Sequence, residues 1–424
     1  MLHLPDSCGR NGERGAVEPQ ERPREVRPLE LSRLRMEAEE LRDELLRWRR
    51  HLHRYPELSF QERETSAYIA RELAAIPGIE VSRPTATSVL GRLGGRRKGH
   101  RVALRADIDA LPINEETGLP FASRHPGVMH ACGHDGHAAM LLAAASLLAR
   151  RREDLAGEVL FVFQHAEELG PGGAQEIVDS GVLAGVDCVL GQHLWLPLDA
   201  GSVGLSAGPL TAAVDSFKAT VIGQGGHAAQ PHLTVDAVVL SAQVVLAWQT
   251  IVSRERDPLL PLVLSVTRIE GGHADNVLPD EVRLVGTVRS TDPELRERVL
   301  KRMEELIAAH TAAAGGGYRL EIDRGYAPVV NDIALARRLG PILSEVLGPA
   351  TVTPATPSMV GEDFSAYRQV APVCFWWLGA RSEAKSITHP HHHARFTVDE
   401  DVLPLGAAAL AGAALGLLQD PMEE

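Results

Sequence analysis

Three successive segments decide the fold that this sequence predicts: HRVALRADIDAL at residues 100–111, AAMLLAAASLLA at residues 138–149 and GEVLFVFQHAEE at residues 157–168. The first and third are short apolar runs with polar ends, as in buried strands, whereas the middle one consists of strong helix formers. Strand, helix and strand in this order build a parallel sheet covered by helices. The sequence therefore predicts an α/β fold with a mostly parallel sheet flanked by helices.

The pattern changes after about residue 210. Strand-like runs with alternating apolar residues occupy 215–226, 261–272 and 281–290, and amphipathic helical runs occupy 234–255 and 292–310. This order suggests a β-α-β-β-α-β unit of about a hundred residues, a ferredoxin-like arrangement. We therefore predict an inserted α+β domain that interrupts the first domain.

The predicted boundaries follow from these patterns. A catalytic domain comprises residues 36–211 and 326–424, and the inserted dimerisation or lid domain comprises residues 212–325. Residues 1–35 are rich in Arg, Glu and Pro without sustained periodicity, which predicts a disordered N-terminal extension.

Composition excludes several classes of protein. The chain of 424 residues has a formal net charge of −13, so we expect no binding to nucleic acid. No run of roughly 18 to 20 apolar residues is evident, and the first residues lack the apolar stretch of a signal peptide, so we expect no membrane span and a cytoplasmic location. The four cysteines are too few and too scattered for a disulfide framework, which leaves them free as thiols.

Residues 129–137, MHACGHDGH, hold three His, one Cys and one Asp in nine positions. His134 and His137 are three apart, as on one face of a helix, whereas Cys132 and His134 are two apart, as on an extended segment. The cluster is therefore predicted to lie where a loop becomes a helix. Cys and His are metal ligands, but this cluster alone does not complete a site.

The missing ligands are expected at the ends of the predicted strands. Glu167 and Glu168 follow one β-rich run and His193 follows another, while residues 391–393 are three consecutive histidines. Functional groups of parallel sheets gather at the carboxyl ends of the strands. Two adjacent carboxylates also point in different directions, so that one can bind metal while the other acts as a general base on a water molecule.

The sequence resembles a known family at eight ordered motifs. They are RADIDALP (105–112), HACGHDGH (130–137), FQHAEE (163–168), GQHLW (191–195), GQGGHAAQPH (223–232), HADNVLPDEVRLVGTVRS (273–290), MVGEDFSAY (359–367) and HHARF (392–396). These motifs are similar to those of the dinuclear metal-dependent amidohydrolases that include hippurate hydrolase, N-acyl-amino-acid amidohydrolases and auxin-conjugate hydrolases, within the aminoacylase and glutamate carboxypeptidase group. The resemblance extends from about Leu45 to Asp401.

The resemblance implies a role for each matching residue. Five side chains would hold two divalent ions (Mn, Zn, Co or Ni): Cys132, which would bridge them, His134, Glu168, His193 and His392. Ala394 stands where proline is common in the last motif, and a shift by one residue would exchange His392 for His393. Glu167 would be the general base and Asp109 would orient a ligand histidine from behind.

The inserted domain would also contribute to the site. The resemblance implies that His227 stabilises the oxyanion, either in the site of a partner subunit or by closure of the lid. It makes Asn276, Arg289 and Gly361 contacts of the substrate, and Glu362 and Asp363 part of a substrate-facing turn.

The implied activity is hydrolysis of an N-acyl-amino acid, hippurate-like or N-acetylated, to a carboxylic acid and a free amino acid by a homodimer. Within the same class, an N-acetyl-diaminopimelate deacetylase or a small carboxypeptidase stays open. A non-catalytic dimeric scaffold is the alternative from another class. The presence of Glu167 argues against it, because a structural metal site needs ligands but no base.

Overall fold

A computed structural model describes residues 31–349 and 351–419 of the chain. Most of the predicted disordered extension, residues 1–30, lies outside the described residues. Within residues 31–35 the disorder prediction is wrong: Leu31–Arg33 form a short 3-10 helix, and an α-helix begins at Leu34. The physical reason is that the side chains of Leu31 and Leu34 are buried in the main hydrophobic core.

The described residues contain nine α-helices. They are α1 (Leu34–Glu40), α2 (Arg42–Arg54), α3 (Arg63–Ala74), α4 (His134–Ala149), α5 (Gly173–Asp179), α6 (Ala237–Thr250), α7 (Pro293–Ala313), α8 (Ile333–Leu347) and α9 (Leu403–Gln419). Local sequence explains their bounds. For example, the side chain of Asp292 accepts a hydrogen bond from the Leu295 amide at the start of α7, and Pro293 occupies the first turn, where no amide donor is needed.

The strands of the described chain number sixteen. They are β1 (Ile79–Ser82), β2 (Val89–Gly94), β3 (Arg97–Asp107), β4 (Ala156–Gln164), β5 (Cys188–Asp199), β6 (Val203–Leu205), β7 (Gly208–Pro209), β8 (Ala213–Ile222), β9 (Gly226–His227), β10 (Leu262–Glu270), β11 (Val277–Leu278), β12 (Glu281–Ser290), β13 (Gly317–Arg324), β14 (Val330–Asn331), β15 (Val352–Pro354) and β16 (Val373–Arg381).

The larger sheet has eight strands in the order β1-β2-β4-β3-β5-β16-β6-β15. Its centre is parallel, because β3 pairs in parallel with β4 and with β5, and β5 pairs in parallel with β16. Helices α1, α2, α3, α4, α8 and α9 supply the core on one face, and α5 with the turn after Glu362 supplies the core on the other. The predicted fold class is confirmed.

A second sheet, of four antiparallel strands, has the order β10-β12-β8-β13. In chain order its elements are β8, α6, β10, β12, α7 and β13, which is the predicted β-α-β-β-α-β unit. Its core lies between the sheet and the two helices and includes Phe217, Trp248, Leu284 and Met303. The ribbon formed by β9 and β11 extends from this unit.

Two helical segments, Ala237–Glu255 and Glu400–Gln419, are long and apolar enough to cross a membrane, by length and composition alone. The expectation that no segment reaches this length is therefore wrong. The second segment was missed because many of its residues are alanine and glycine, which are small and only weakly apolar but not polar. That segment is 89% buried in the protein and contains α9, which packs on α4 in the core. It is a core helix.

Candidate metal-dependent active site

The Cys-His cluster lies at the amino end of α4, as predicted. Gly133 has a backbone φ of 101°, in the left-handed region that favours glycine, and α4 begins at the next residue, His134. This turn places Cys132 just before the helix, where its Sγ lies 3.5 Å from Nε2 of His193. Residues 61 apart in sequence thus meet at the end of the sheet.

The other predicted ligands come partly from the two strands that flank β3, and the expectation that His193 follows its strand is wrong, since it lies within β5. Glu167 and Glu168 follow β4, and His193 belongs to β5. Nδ1 of His193 donates to the Leu194 carbonyl at 2.7 Å, which leaves Nε2 available on the side of Cys132. Nε2 of His392 lies 3.3 Å from a carboxylate oxygen of Glu168.

These side chains form two donor groups that share one sulfur. In the first group, donor atoms of Cys132, His134 and His193 all lie within 4.8 Å of one another, and in the second the same holds for Cys132, Glu168 and His392. Thiolate, imidazole and carboxylate suit divalent Zn, Mn, Co or Ni. Because Cys132 belongs to both groups, it occupies the position expected of a bridging ligand.

The chemistry of these donors fits bound cations. Nε2 of His134 and Oε1 of Glu168 are buried, and neither has a hydrogen-bond partner among the described residues. Such buried orphan atoms are rare unless a ligand satisfies them. Burial, with repulsion from Glu168 and Glu167, also raises the pKa of the Cys132 thiol well above its usual range, so its thiolate requires a nearby positive charge.

Asp109 supports two ligands at once. One carboxylate oxygen lies 3.2 Å from Nδ1 of His134, and the other accepts hydrogen bonds from the Glu168 amide at 3.0 Å and the Ser59 hydroxyl at 2.7 Å. Burial lowers the pKa of His134, but Asp107 and Asp109 outweigh that effect and raise it to about 10. The two carboxylates thus favour positive charge at this position.

His137 is fully engaged elsewhere. Its Nδ1 donates to Asp107 at 2.5 Å, and its Nε2 accepts from the Leu194 amide at 2.9 Å. It therefore connects the end of β3 to β5 and leaves no nitrogen free for a metal ion.

Glu167 lies among the donors without sharing their hydrogen bonds. Its carboxylate is buried within 4.8 Å of donor atoms of His134 and Glu168. Burial, followed by repulsion from Glu362 and Glu168, raises the pKa of this carboxyl well above its usual range. The backbone carbonyl of Glu167 accepts a hydrogen bond of 2.7 Å from the Tyr326 hydroxyl, which fixes the segment.

A buried charge network beneath Glu167 was not anticipated. Arg105, only 1% exposed, donates at 2.7 Å to Asp107 and at 3.0 Å to both Glu362 and Asp363. The interpretation of Glu362 and Asp363 as a substrate-facing turn is therefore wrong for Asp363, whose carboxylate also accepts from Gln164 and from the Ala174 amide. Arg105 and Asp107 are two residues apart, so the sequence indicates that they share one face of β3. Their distance from Asp363 in the sequence means that local spacing could not identify it as a partner.

A cavity of about 470 Å³ opens onto these groups. Its lining combines the metal donors Cys132, Glu168, His193 and His392 with Glu167 and with two predicted substrate contacts, Arg289 and Gly361. Gly361 is required by close approach, because a Cβ there would lie 2.5 Å from the Val214 side chain. Arg289, at the end of β12, brings a cation from the second sheet into the cavity.

Comparison with known proteins identifies the family. Residues 103–416 match peptidase family M20/M25/M40. The chain belongs to this family. It is 53% identical over 294 residues to an N-acyl-L-amino acid amidohydrolase of Geobacillus stearothermophilus, an alignment that covers 69% of this chain and 80% of the relative. It is 40% identical over 373 residues to the IAA-amino acid hydrolase ILR1-like 4 of Arabidopsis thaliana, an alignment that covers 86% of this chain and 84% of the relative. The predicted family is thus confirmed, and the M20 chain described here is a metal-dependent hydrolase of amides.

A solved structure supports the number of ions. The M20-family peptidase YXEP of Bacillus subtilis, described as binding a dinuclear metal, has a TM-score of 0.80 and 35% identity, over 90% of this chain and 99% of that one. With the two donor groups sharing Cys132, it supports two divalent ions in this M20 hydrolase.

Two predicted residues do not reach the cavity of their own chain. His227 and Asn276 lie side by side on the exposed ribbon of β9 and β11, where the Ala228 amide donates to the Asn276 carbonyl at 3.1 Å. Neither belongs to the described residues that line the cavity. Their roles stay predictions that require a second subunit or a movement of the ribbon.

The positions of the two candidate histidines, His392 and His393, differ, and that of His392 fits the predicted ligand. His392 has a φ of 63° and reaches Glu168, whereas His393 stacks on His389 with ring centroids 4.5 Å apart, and its Nδ1 accepts from the Arg395 amide. The strained backbone at His392 is consistent with a functional position.

Proposed function

We propose that this M20-family protein hydrolyses N-acyl-amino acids to a carboxylic acid and a free amino acid, with Glu167 as general base. The observation that carries the proposal is the position of Glu167: its carboxylate lies among the metal donors in a cavity that also contains Arg289. Hydrolysis of an N-acyl-amino acid needs a base for the water and a site that polarises the amide carbonyl, and Glu167 and the metal donors fit these needs. The substrate also carries a free carboxylate, for which Arg289 provides a cation.

The residues that would hold the two ions are Cys132, His134, His193, Glu168 and His392. When bound, divalent cations of this kind supply a water of lowered pKa and polarise the carbonyl of the amide. We propose Mn, Zn, Co or Ni as the physiological metal on the basis of the mixed sulfur, nitrogen and oxygen donors.

The side chains of the protein perform the remaining steps. Glu167 accepts a proton from the attacking water and passes it to the leaving amine. Tyr326 and the network around Arg105 keep the segment of Glu167 in place, and Arg289 binds the carboxylate of the amino acid. Burial of the cavity strengthens each of these charge interactions.

The predicted oxyanion residue, His227, does not line the cavity of its own chain. We propose that His227 and Asn276 of one subunit enter the cavity of its partner in a homodimer. An exposed apolar face on α6 supports this assembly, since Val238, Val239 and Leu246 are 47%, 52% and 70% exposed. The edge strand β10 adds Ile269, which is 58% exposed, and apolar patches of this kind commonly mark protein interfaces.

Burial of this face of α6 in a dimer would account for the apolar composition of residues 237–255, so that no membrane is needed to explain it. We propose a cytoplasmic location because Cys132 acts as a ligand only when reduced, and Cys132, Cys188 and Cys374 are all unpaired. Binding of nucleic acid stays excluded as a prediction from the net charge.

The proposal is tested by replacing Glu167 with Gln. The variant is expected to lose a factor of about 10² to 10⁴ in kcat on N-benzoyl- and N-acetyl-amino acids, because the proton acceptor is lost. Metal content by mass spectrometry should stay at two ions per chain. The matched control is Glu64→Gln at an exposed carboxylate, and undiminished hydrolysis by E167Q would overturn the assignment.

A further inference from the structure

Three aromatic rings form a stack in the cavity, beside the metal donors. The rings of Trp195 and Trp377 are 4.3 Å apart and nearly parallel, at 15°, and those of Trp195 and His391 are 5.0 Å apart at 30°. All three residues line the cavity. Nothing in the reaction requires them, so their presence calls for a separate explanation.

The sheet brings this stack to His193. Trp195 is two residues from His193 on β5, so both side chains project from the same face. Trp377 lies opposite His193 in the parallel pairing of β16 with β5. The ring centroid of His193 is accordingly 6.2 Å from that of Trp195 and 6.0 Å from that of Trp377. A substituent on a carbonyl held at the donors therefore lies within reach of these rings.

Two observations argue against a purely structural role. The buried indole nitrogen of Trp377 has no hydrogen-bond partner among the described residues, whereas a tryptophan that only fills a core usually finds an acceptor. Trp195 is only partly buried although it is large and apolar. The rest of the apolar lining comes from Val214, Met359 and Val360.

We infer that Trp195, Trp377 and His391 form the acyl pocket and select an aromatic acyl group over acetyl. This inference rests on the proposed function and adds to it the class of acid that is released. An aromatic ring gains from stacked or edge-to-face contacts with these rings in addition to the burial of its surface. An acetyl group presents a single methyl and leaves most of the aromatic surface uncovered.

The test compares acyl groups on one amino acid. Acetyl-, butanoyl-, cyclohexanecarbonyl- and benzoyl-alanine are assayed with the metal-loaded enzyme. We expect kcat/KM to be on the order of 10- to 100-fold higher for benzoyl than for acetyl. Benzoyl should also exceed cyclohexanecarbonyl several-fold, since the two rings are similar in size but only one is aromatic.

Substitutions then locate the preference. Trp195→Ala should reduce the benzoyl-to-acetyl ratio of kcat/KM by about tenfold, and Trp195→Phe, which keeps a ring, should retain most of it. Because both ratios are internal to one protein, partial loss of folded enzyme does not affect them. If W195A is insoluble, the wild-type series together with W195F decides.

The outcomes separate the two claims. If the wild type cleaves acetyl-alanine as well as or better than benzoyl-alanine, or if the ratio is the same in W195A, the aromatic pocket is wrong while the proposed hydrolysis stands. If none of the four amides is cleaved by enzyme that holds two ions, the proposed function itself fails.

Discussion

The side chains of Cys132, His134, Glu168 and Asp109 are held by contacts within the chain, at the start of α4 and just after β3 and β4. On the ribbon of β9 and β11, His227 and Asn276 are exposed to solvent, and the Ala228 amide donates to the Asn276 carbonyl. Both regions carry residues that the family resemblance assigns to catalysis. The predicted ligands and base therefore come together within one described chain, whereas the predicted oxyanion residue stays away from them.

The largest expected effect tests the buried region. Cys132→Ala removes the donor shared by both groups, so we expect activity to fall on the order of a thousandfold and both ions to be bound more weakly. Metal content after gel filtration and activity on benzoyl-alanine are the measurements. The control is Cys188→Ala, at a buried cysteine in the core, and normal metal content in C132A would contradict a shared ligand.

The next effect tests the exposed region. His227→Ala should lower kcat on the order of 100- to 1000-fold by removing the oxyanion donor, while leaving metal content unchanged. His232→Ala, at an exposed histidine five residues further on, is the matched control.

A mixture sharpens this prediction. Inactive E167Q and H227A proteins are combined under conditions that allow subunit exchange. A mixed dimer has one complete cavity, with Glu167 from one chain and His227 from the other, so activity should return. Continued inactivity of demonstrated mixed dimers would place His227 in its own subunit or outside the reaction.

Arg289 connects the two regions, and its loss should have a smaller effect. Arg289→Ala is expected to raise KM for acyl-amino acids by about tenfold, since one charge-assisted contact to the substrate carboxylate is lost. Arg283→Ala on the same strand is exposed and is the control. An unchanged KM would show that the substrate carboxylate is bound elsewhere.

The last prediction concerns stability and no change in activity. The buried carboxylate of Glu62 accepts from the Ala166 and Phe60 amides, and one of its oxygens has no partner in the described structure. Burial raises the pKa of Glu62 to about 7. Between about pH 4.5 and 7 the folded chain retains a proton that the unfolded chain has lost, so this group reduces stability as pH rises.

Glu62→Gln removes that titration and keeps an oxygen acceptor. As the pH rises from 5 to 8, the free energy of unfolding of the wild type should fall relative to that of the variant by on the order of 2 kcal/mol. Urea denaturation of both proteins at both pH values measures this change. The pH dependence of metal binding is the same in the two proteins, so it cancels when they are compared. E64Q is the control, and equal pH profiles would contradict the raised pKa.

The family resemblance proposed the ligands, and local rules account for where several of them lie. The turn into α4 brings Cys132 and His134 together and the segment after β4 carries Glu168, whereas His193 lies within β5. The contact of Trp195 with Trp377 and that of Arg105 with Asp363 join residues about 180 and 260 positions apart, and no local pattern encodes such pairings. For His227, even the complete single chain is insufficient, because its proposed target belongs to another copy.

The shared sulfur has a chemical consequence of its own. Peroxide or an alkylating reagent that modifies Sγ of Cys132 removes a donor from both metal positions in one event, and conversion to a sulfinic acid is not reversed by ordinary thiols. The rate of such a reaction depends on the thiolate, and the raised pKa of Cys132 keeps the uncoordinated residue in its less reactive thiol form. The choice of cysteine over an oxygen ligand thus exposes both proposed metal positions to a single modification, which burial of the thiol slows.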